Sequence, residues 1–134
     1  MKGMKAVMGL GLGLALFSTV ASASPITLIC TGSLTFAKQG SQKIESETAI
    51  VDFDAGSFKP PLYPALPITR VDESSVSFGN ERADVSTQGG LDRISGSLWM
   101  NVMSTADRKK LGVGKGAQFM AWMSGKCAPA KRMF

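Results

Sequence analysis

The chain has 134 residues, with 15 Lys and Arg against 10 Asp and Glu, two cysteines and no histidine. That length holds one domain with a single core. The missing histidines and the low cysteine count exclude a zinc site of ordinary ligand number and any catalytic arrangement built on imidazole.

Lys2 and Lys5 precede an uncharged run from Ala6 to Phe17, and Ala21-Ser22-Ala23 then offers small residues where a signal peptidase cuts. The run is far shorter than the ~20 residues of a spanning helix. Gly9, Gly11 and Gly13 read as a tolerant apolar stretch rather than a helix-pairing face. Residues 1–23 are therefore expected to be a secretory leader, and residues 24–134 a single exported domain. No twin arginine precedes the run, so general export is expected.

Cys30 follows closely enough to suggest a lipid anchor, but lipobox cysteines are preceded by Gly or Ala, and here Ile29 stands in that place. Cys30 belongs instead to a period-two pattern. Ile26, Leu28, Cys30, Gly32, Leu34 and Phe36 share one face, and Thr27, Ile29, Thr31, Ser33 and Thr35 lie on the other. At the far end Phe119, Ala121, Met123, Gly125 and Cys127 share the same kind of face. An even pair of cysteines in an exported chain reads as a disulfide, here Cys30–Cys127. It would close a loop of nearly a hundred residues, worth about 4–5 kcal/mol in the chain-entropy model.

The middle of the chain alternates short strands with turn signals. Strands are expected over Ile44 to Phe53, Ile68 to Val71, Val76 to Phe78 and Ala83 to Thr87, and a longer one over Leu91 to Met103. Asp54-Ala55-Gly56, Gly79-Asn80-Glu81 and Gln88-Gly89-Gly90 read as turns or breaks. A two-turn helix is expected over residues 105–111, capped by Ser104 or Thr105, with Asp107 in its first turn, Arg108, Lys109 and Lys110 toward its end, and Gly112 beyond. Packing of Leu111 would hold it between the last two strands. The expected fold is all-β: a small antiparallel sandwich or partly closed barrel of about 6–8 strands with one short helix.

Several stretches are candidates for function. Residues 59–67, KPPLYPALP, present Tyr63 either as a docking residue on a polyproline-like path or, more simply, tucked against the core along a stiff connection. Residues 111–118 contain Gly114-Lys115 but lack the spacing of a phosphate loop. Residues 24–92 carry five basic and nine acidic groups, whereas residues 93–134 carry eight basic and one acidic. Arg108, Lys109, Lys110 and Lys115 thus form a candidate basic surface for an anionic envelope component. Trp99 with Met103, and Met120 with Trp122, lie on the strand faces opposite the cysteines; they form either an exposed patch or a second buried layer. Nucleic acid is not expected, nor a cofactor, nor a membrane span after leader removal. Asp52, Asp54, Glu73 and Asp92 form no acid–base constellation, and Asp92-Arg93 reads as a clamp on the preceding Gly-Gly turn.

The motifs "CTG", "VDFDAG", "ITRVDESSVSF", "GGLDRISGSL" and "CAPAKRMF" together resemble a group of small uncharacterised exported proteins of Gram-negative bacteria. In that group a first-strand Cys-x-Gly, a central Val-x-Asp, an Asp/Asn-Arg-x-x-Gly and a terminal Cys-x-Pro-x-x-x-x-Phe recur in order. The resemblance implies export and a disulfide-bonded domain but brings no activity. Residues 104–118, STADRKKLGVGKGAQ, depart from the pattern and are where anything particular to this chain is expected. The two-cysteine layout is also similar to periplasmic C-type lysozyme inhibitors, although their Ser-Gly and Tyr inhibitory signature is not matched at Ser95-Gly96. The expectation is a periplasmic or secreted, non-catalytic binding or envelope-associated module. The alternatives are an inhibitor of a lysozyme-like enzyme and a small apolar-ligand carrier.

Overall fold

The computed structural model describes residues 24–111 and 119–130. The expected leader, Gly112, Lys115 and the closing Lys131–Phe134 lie outside the described residues, as does the side chain of Leu111.

Eight strands form one closed antiparallel barrel in chain order: β1 (Ile26–Phe36), β2 (Gly40–Asp52), β3 (Ser57–Lys59), β4 (Leu66–Val71), β5 (Ser75–Glu81), β6 (Val85–Asp92), β7 (Ser97–Ser104) and β8 (Ala121–Pro129). Among the described residues there is one helix, α1 (Thr105–Leu111), which follows β7. No described helix is long and apolar enough to cross a membrane. Each strand pairs with its chain neighbours, and β8 closes on β1 from Leu28↔Pro129 to Phe36↔Ala121. This is the up-and-down way of removing sheet edges. The sandwich alternative falls, and the barrel is complete rather than partly closed.

Closure follows from the alternation in the sequence. Leu28, Cys30 and Leu34 of β1 point inward, as do Leu98, Met100 and Val102 of β7 and Ala121, Met123 and Cys127 of β8. Phe58 and Phe78 fill the centre, their rings 4.5 Å apart between centroids. Apolar residues face in and Thr31, Ser33, Ser124 and Lys126 face away, the reverse of a barrel embedded in lipid. Cys30 and Cys127 are bonded as expected, between directly paired residues of β1 and β8.

Ile44 and Ala49 are both buried although five residues apart, which a strict period of two forbids. A bulge reconciles them. Cys30 pairs with Glu47 and Gly32 with Ile44, so an extra β2 residue is accommodated, and Ser46 takes the left-handed φ of 55°.

Several expected boundaries shift. Gly79-Asn80-Glu81 lies inside β5, and the turn comes later, at Arg82 to Asp84. Gln88-Gly89-Gly90 lies inside β6. These glycines make room rather than turns: a side chain at Gly89 would meet the Phe78 ring, and one at Gly90 would meet the Trp99 indole. The strand expected over Leu91 to Met103 is two strands, β6 and β7. Between them Asp92 Oδ1 accepts the backbone N–H groups of Ile94 and Ser95, each at 2.8 Å, and Gly96 takes φ 82°. The clamp at Asp92 therefore acts on the turn that follows it, not on the glycines before it. Arg93 Nη1 donates to the Asp72 carbonyl at 2.7 Å, tying this turn to the β4–β5 turn. The three-residue strand β3 escapes the pattern because it is too short to show a period.

The helix lies where expected. Ser104 is the cap, its Oγ accepting the Asp107 N–H at 3.1 Å. Thr105 Oγ1 donates to the Arg82 carbonyl at 2.6 Å. With its one proton used, it accepts from Ser86 Oγ at 2.9 Å in a buried contact. A hydroxyl pair and one carbonyl thus dock the helix against the β5–β6 turn.

Candidate functional site

The Trp and Met faces divide. Trp99 and Trp122 point outward from β7 and β8 and stand 46% and 40% exposed, with Met120 beside them also exposed. Met103 shares the outward face of Trp99 but is only 2% exposed. It lies at the end of β7 just ahead of α1, and its burial removes it from the candidate surface.

The register sets both indoles on one patch. Trp99 is opposite Ser124 and Trp122 opposite Asn101, so the two tryptophans occupy diagonal positions on adjacent strands. Diagonal neighbours on one face lie within reach of large aromatic side chains. Asn101 and Ser124 complete the square, and half-buried Phe119 adds a third ring to the hollow between them.

Trp99 also walls a second hollow, of about 390 Å³, on the exterior of β5 and β6. The Gly79 and Gly89 backbones line its base, and Ser77 and Gln88 supply hydrogen-bonding groups. Arg108 reaches into it from α1. Its guanidinium pairs with the Glu81 carboxylate, and the Gln88 amide, oriented with its oxygen toward Arg108, accepts from the same group. Arg108 is therefore a fixed cross-strut rather than a free charge. Lys109 and Lys110 are exposed on the same helix, and Lys126 is exposed on β8. Lys115 lies outside the described residues, so the basic set assembles only in part.

Tyr63 is half-buried and packs against the core, and Pro60 and Pro61 are fully buried. The proline segment connects β3 to β4 with these residues turned toward the core. Leu62 is the exposed large apolar residue of the segment and takes φ 60°, an uncommon backbone for leucine.

Among the described residues no group of three metal-binding side chains converges. Asp72 and Asp92 are the acids with lowered pKa. The Ser74 N–H, followed by the Ser75 hydroxyl and N–H, lowers that of Asp72; the Ser95 N–H, followed by that of Ile94, lowers that of Asp92. Both hold turns.

Gln88, Asn101 and Phe119 are the residues that sequence reasoning did not single out. The period-two count places Asn101 between Trp99 and Met103, so its signal was present; that of Gln88 was hidden by the glycines beside it.

Fold and surface together define a class: a small up-and-down barrel, closed by a disulfide on its seam, with its aromatic surface on the outside. Such a bond fits an oxidising, exported setting. Comparison with protein-family models, with curated proteins and with solved structures finds no match for this chain.

Proposed function

We propose that this protein is an exported, non-catalytic binding module, periplasmic or secreted, that recognises an envelope component through the outer face around Trp99 and Trp122. The observation that carries the reading is the diagonal indole pair, held half exposed on rigid strands and flanked by Asn101 and Ser124. Tryptophan combines large contact area with few rotamers and is enriched where binding energy concentrates. The exposed Lys109 and Lys110 of α1 and Lys126 of β8, in a chain whose last 42 residues are strongly basic, favour an anionic component. The leader-like N-terminus and the seam disulfide support export.

The test is site-specific photo-crosslinking in the cell that makes the protein, with the photoreactive residue at Asn101 and, as control, at exposed Thr48 on β2. A discrete adduct from position 101, absent from position 48 and lost on Trp99→Ala with Trp122→Ala, is expected. Equal labelling from both positions, or an adduct indifferent to the tryptophans, overturns the reading.

A further inference from the structure

The up-and-down connectivity puts the β2–β3, β4–β5 and β6–β7 turns at one end of the barrel, where β1 begins and β8 ends. Among the described residues that end is not filled. A hollow of about 340 Å³ opens there, at the small end of the roughly 300–1,000 Å³ usual for ligand sites. Its floor is the top of the core, including Leu28, Val51, Val76 and Leu91.

Two features of the rim are unexplained by folding. Ile94, at the tip of the β6–β7 turn, is 82% exposed, and Ile26 on the facing strand β1 is 43% exposed. Large aliphatic side chains gain nothing from standing in water, and both stand beside the same apolar hollow. The second feature is Arg93. Its guanidinium lies 5.5 Å from the centroid of the Phe53 ring and spends one nitrogen on the Asp72 carbonyl. Among the described residues no carboxylate forms an ion pair with it. The adjacent Asp92 carboxylate is turned away into its own turn, where Ile94 and Ser95 donate to it, and Lys126 lies near it. The rim therefore keeps a positive fork, propped on an aromatic ring, above a floor of hydrocarbon.

We propose that this open end binds a single-chain carboxylate, a fatty acid of medium length, with its chain in the hollow and its head group on Arg93. An apolar ligand without an anion would leave the guanidinium unmatched. The site is distinct from the tryptophan face, and neither depends on the other.

Calorimetric titration of the oxidised, purified protein with decanoate below its micelle concentration tests the proposal, with decanol as the uncharged comparator. One saturable site for decanoate is expected, with decanol at least tenfold weaker. Arg93→Gln should weaken decanoate about tenfold and leave decanol unchanged, whereas Ile94→Asp should weaken both. Thermal melting of each variant checks that it folds. Should Arg93→Gln fail to fold, Ile94→Asp and the decanol comparison decide alone. Absence of saturable decanoate binding, equal affinity for the two probes, or indifference to Ile94→Asp overturns the proposal.

Discussion

Cys30 and Cys127 face each other directly across the seam where the last strand meets the first, with their Cα atoms 4.0 Å apart. The Cys127 N–H donates to Gly96 on the β7 side. Its backbone polar groups therefore point away from β1, and the pair occupies a narrow, non-hydrogen-bonded site of the β1–β8 ladder. The bond joins residues 97 apart, so it closes nearly the whole barrel into one covalent loop. It also reinforces the contact that costs most chain entropy to form.

Breaking that bond should therefore weaken the barrel without dissolving it. Replacing both cysteines by serine is expected to lower the unfolding free energy by about 4 kcal/mol, since the β1–β8 hydrogen bonds remain. Urea unfolding of the wild-type protein, oxidised and reduced, measures the same quantity. Coincident curves would mean that the cross-link contributes nothing to stability.

The two adjacent glycines of β6 make opposite demands. A Cβ at Gly89 would strike the buried Phe78 ring and the Trp99 carbonyl, neither free to move. Gly89→Ala should cost about 1–3 kcal/mol through overpacking. At Gly90 the obstacle is the half-exposed Trp99 indole, which can swing aside. Gly90→Ala should cost less and shift the Trp99 emission, a combination that denaturation and fluorescence of the two variants together would detect. Equal losses of stability would contradict the assignment of inner and outer faces.

Much of this was legible in the residues. The phase of β1 and β8 predicted the inward cysteines, because long strands repeat their period often enough to be counted, whereas it set the tryptophans opposite the cysteines without deciding between an exposed patch and a second buried layer. The glycines misled. In an isolated sequence Gly-Gly signals a break, and only the Phe78 and Trp99 rings on either side explain why β6 runs through it. Ile44 and Ala49 could not share a face until the bulge at Ser46 was seen. Met103 lay on the correct face, yet its burial depends on where α1 docks, a tertiary contact no local pattern contains. The hollow at the barrel end is likewise a product of closure and of which side chains stop short of it.

Met103 and Trp99 share one face of β7 but should answer differently to truncation. Met103→Ala removes a side chain that is 2% exposed beside α1 and should cost about 2–5 kcal/mol. It should also raise amide hydrogen exchange through residues 105–111. Trp99→Ala removes a half-exposed ring and should cost only about 1–2 kcal/mol, with exchange in the helix unchanged. Faster helix exchange in Trp99→Ala would show that the indole is structural, and would remove it from the recognition surface.

The dependence on pH follows from two turns. The Ser74 N–H holds the pKa of Asp72 below its ordinary value, and the Ser95 N–H does so for Asp92. A depressed pKa in the folded state means that the unfolded chain binds the proton more readily. The stabilisation is therefore complete above the unfolded value of about 3.9 and is lost as pH falls through the lower folded value. With no histidine in the chain, nothing of that residue type titrates between pH 5 and 8. The melting temperature should thus be level from pH 8 to pH 5 and fall below about pH 4. Asp72→Asn with Asp92→Asn keeps an oxygen acceptor in each turn but no charge, so the double variant should show a shallower acid slope than the wild type. If the two slopes coincide, the acid sensitivity arises elsewhere, and these turns do not control how the open end of the barrel responds to pH.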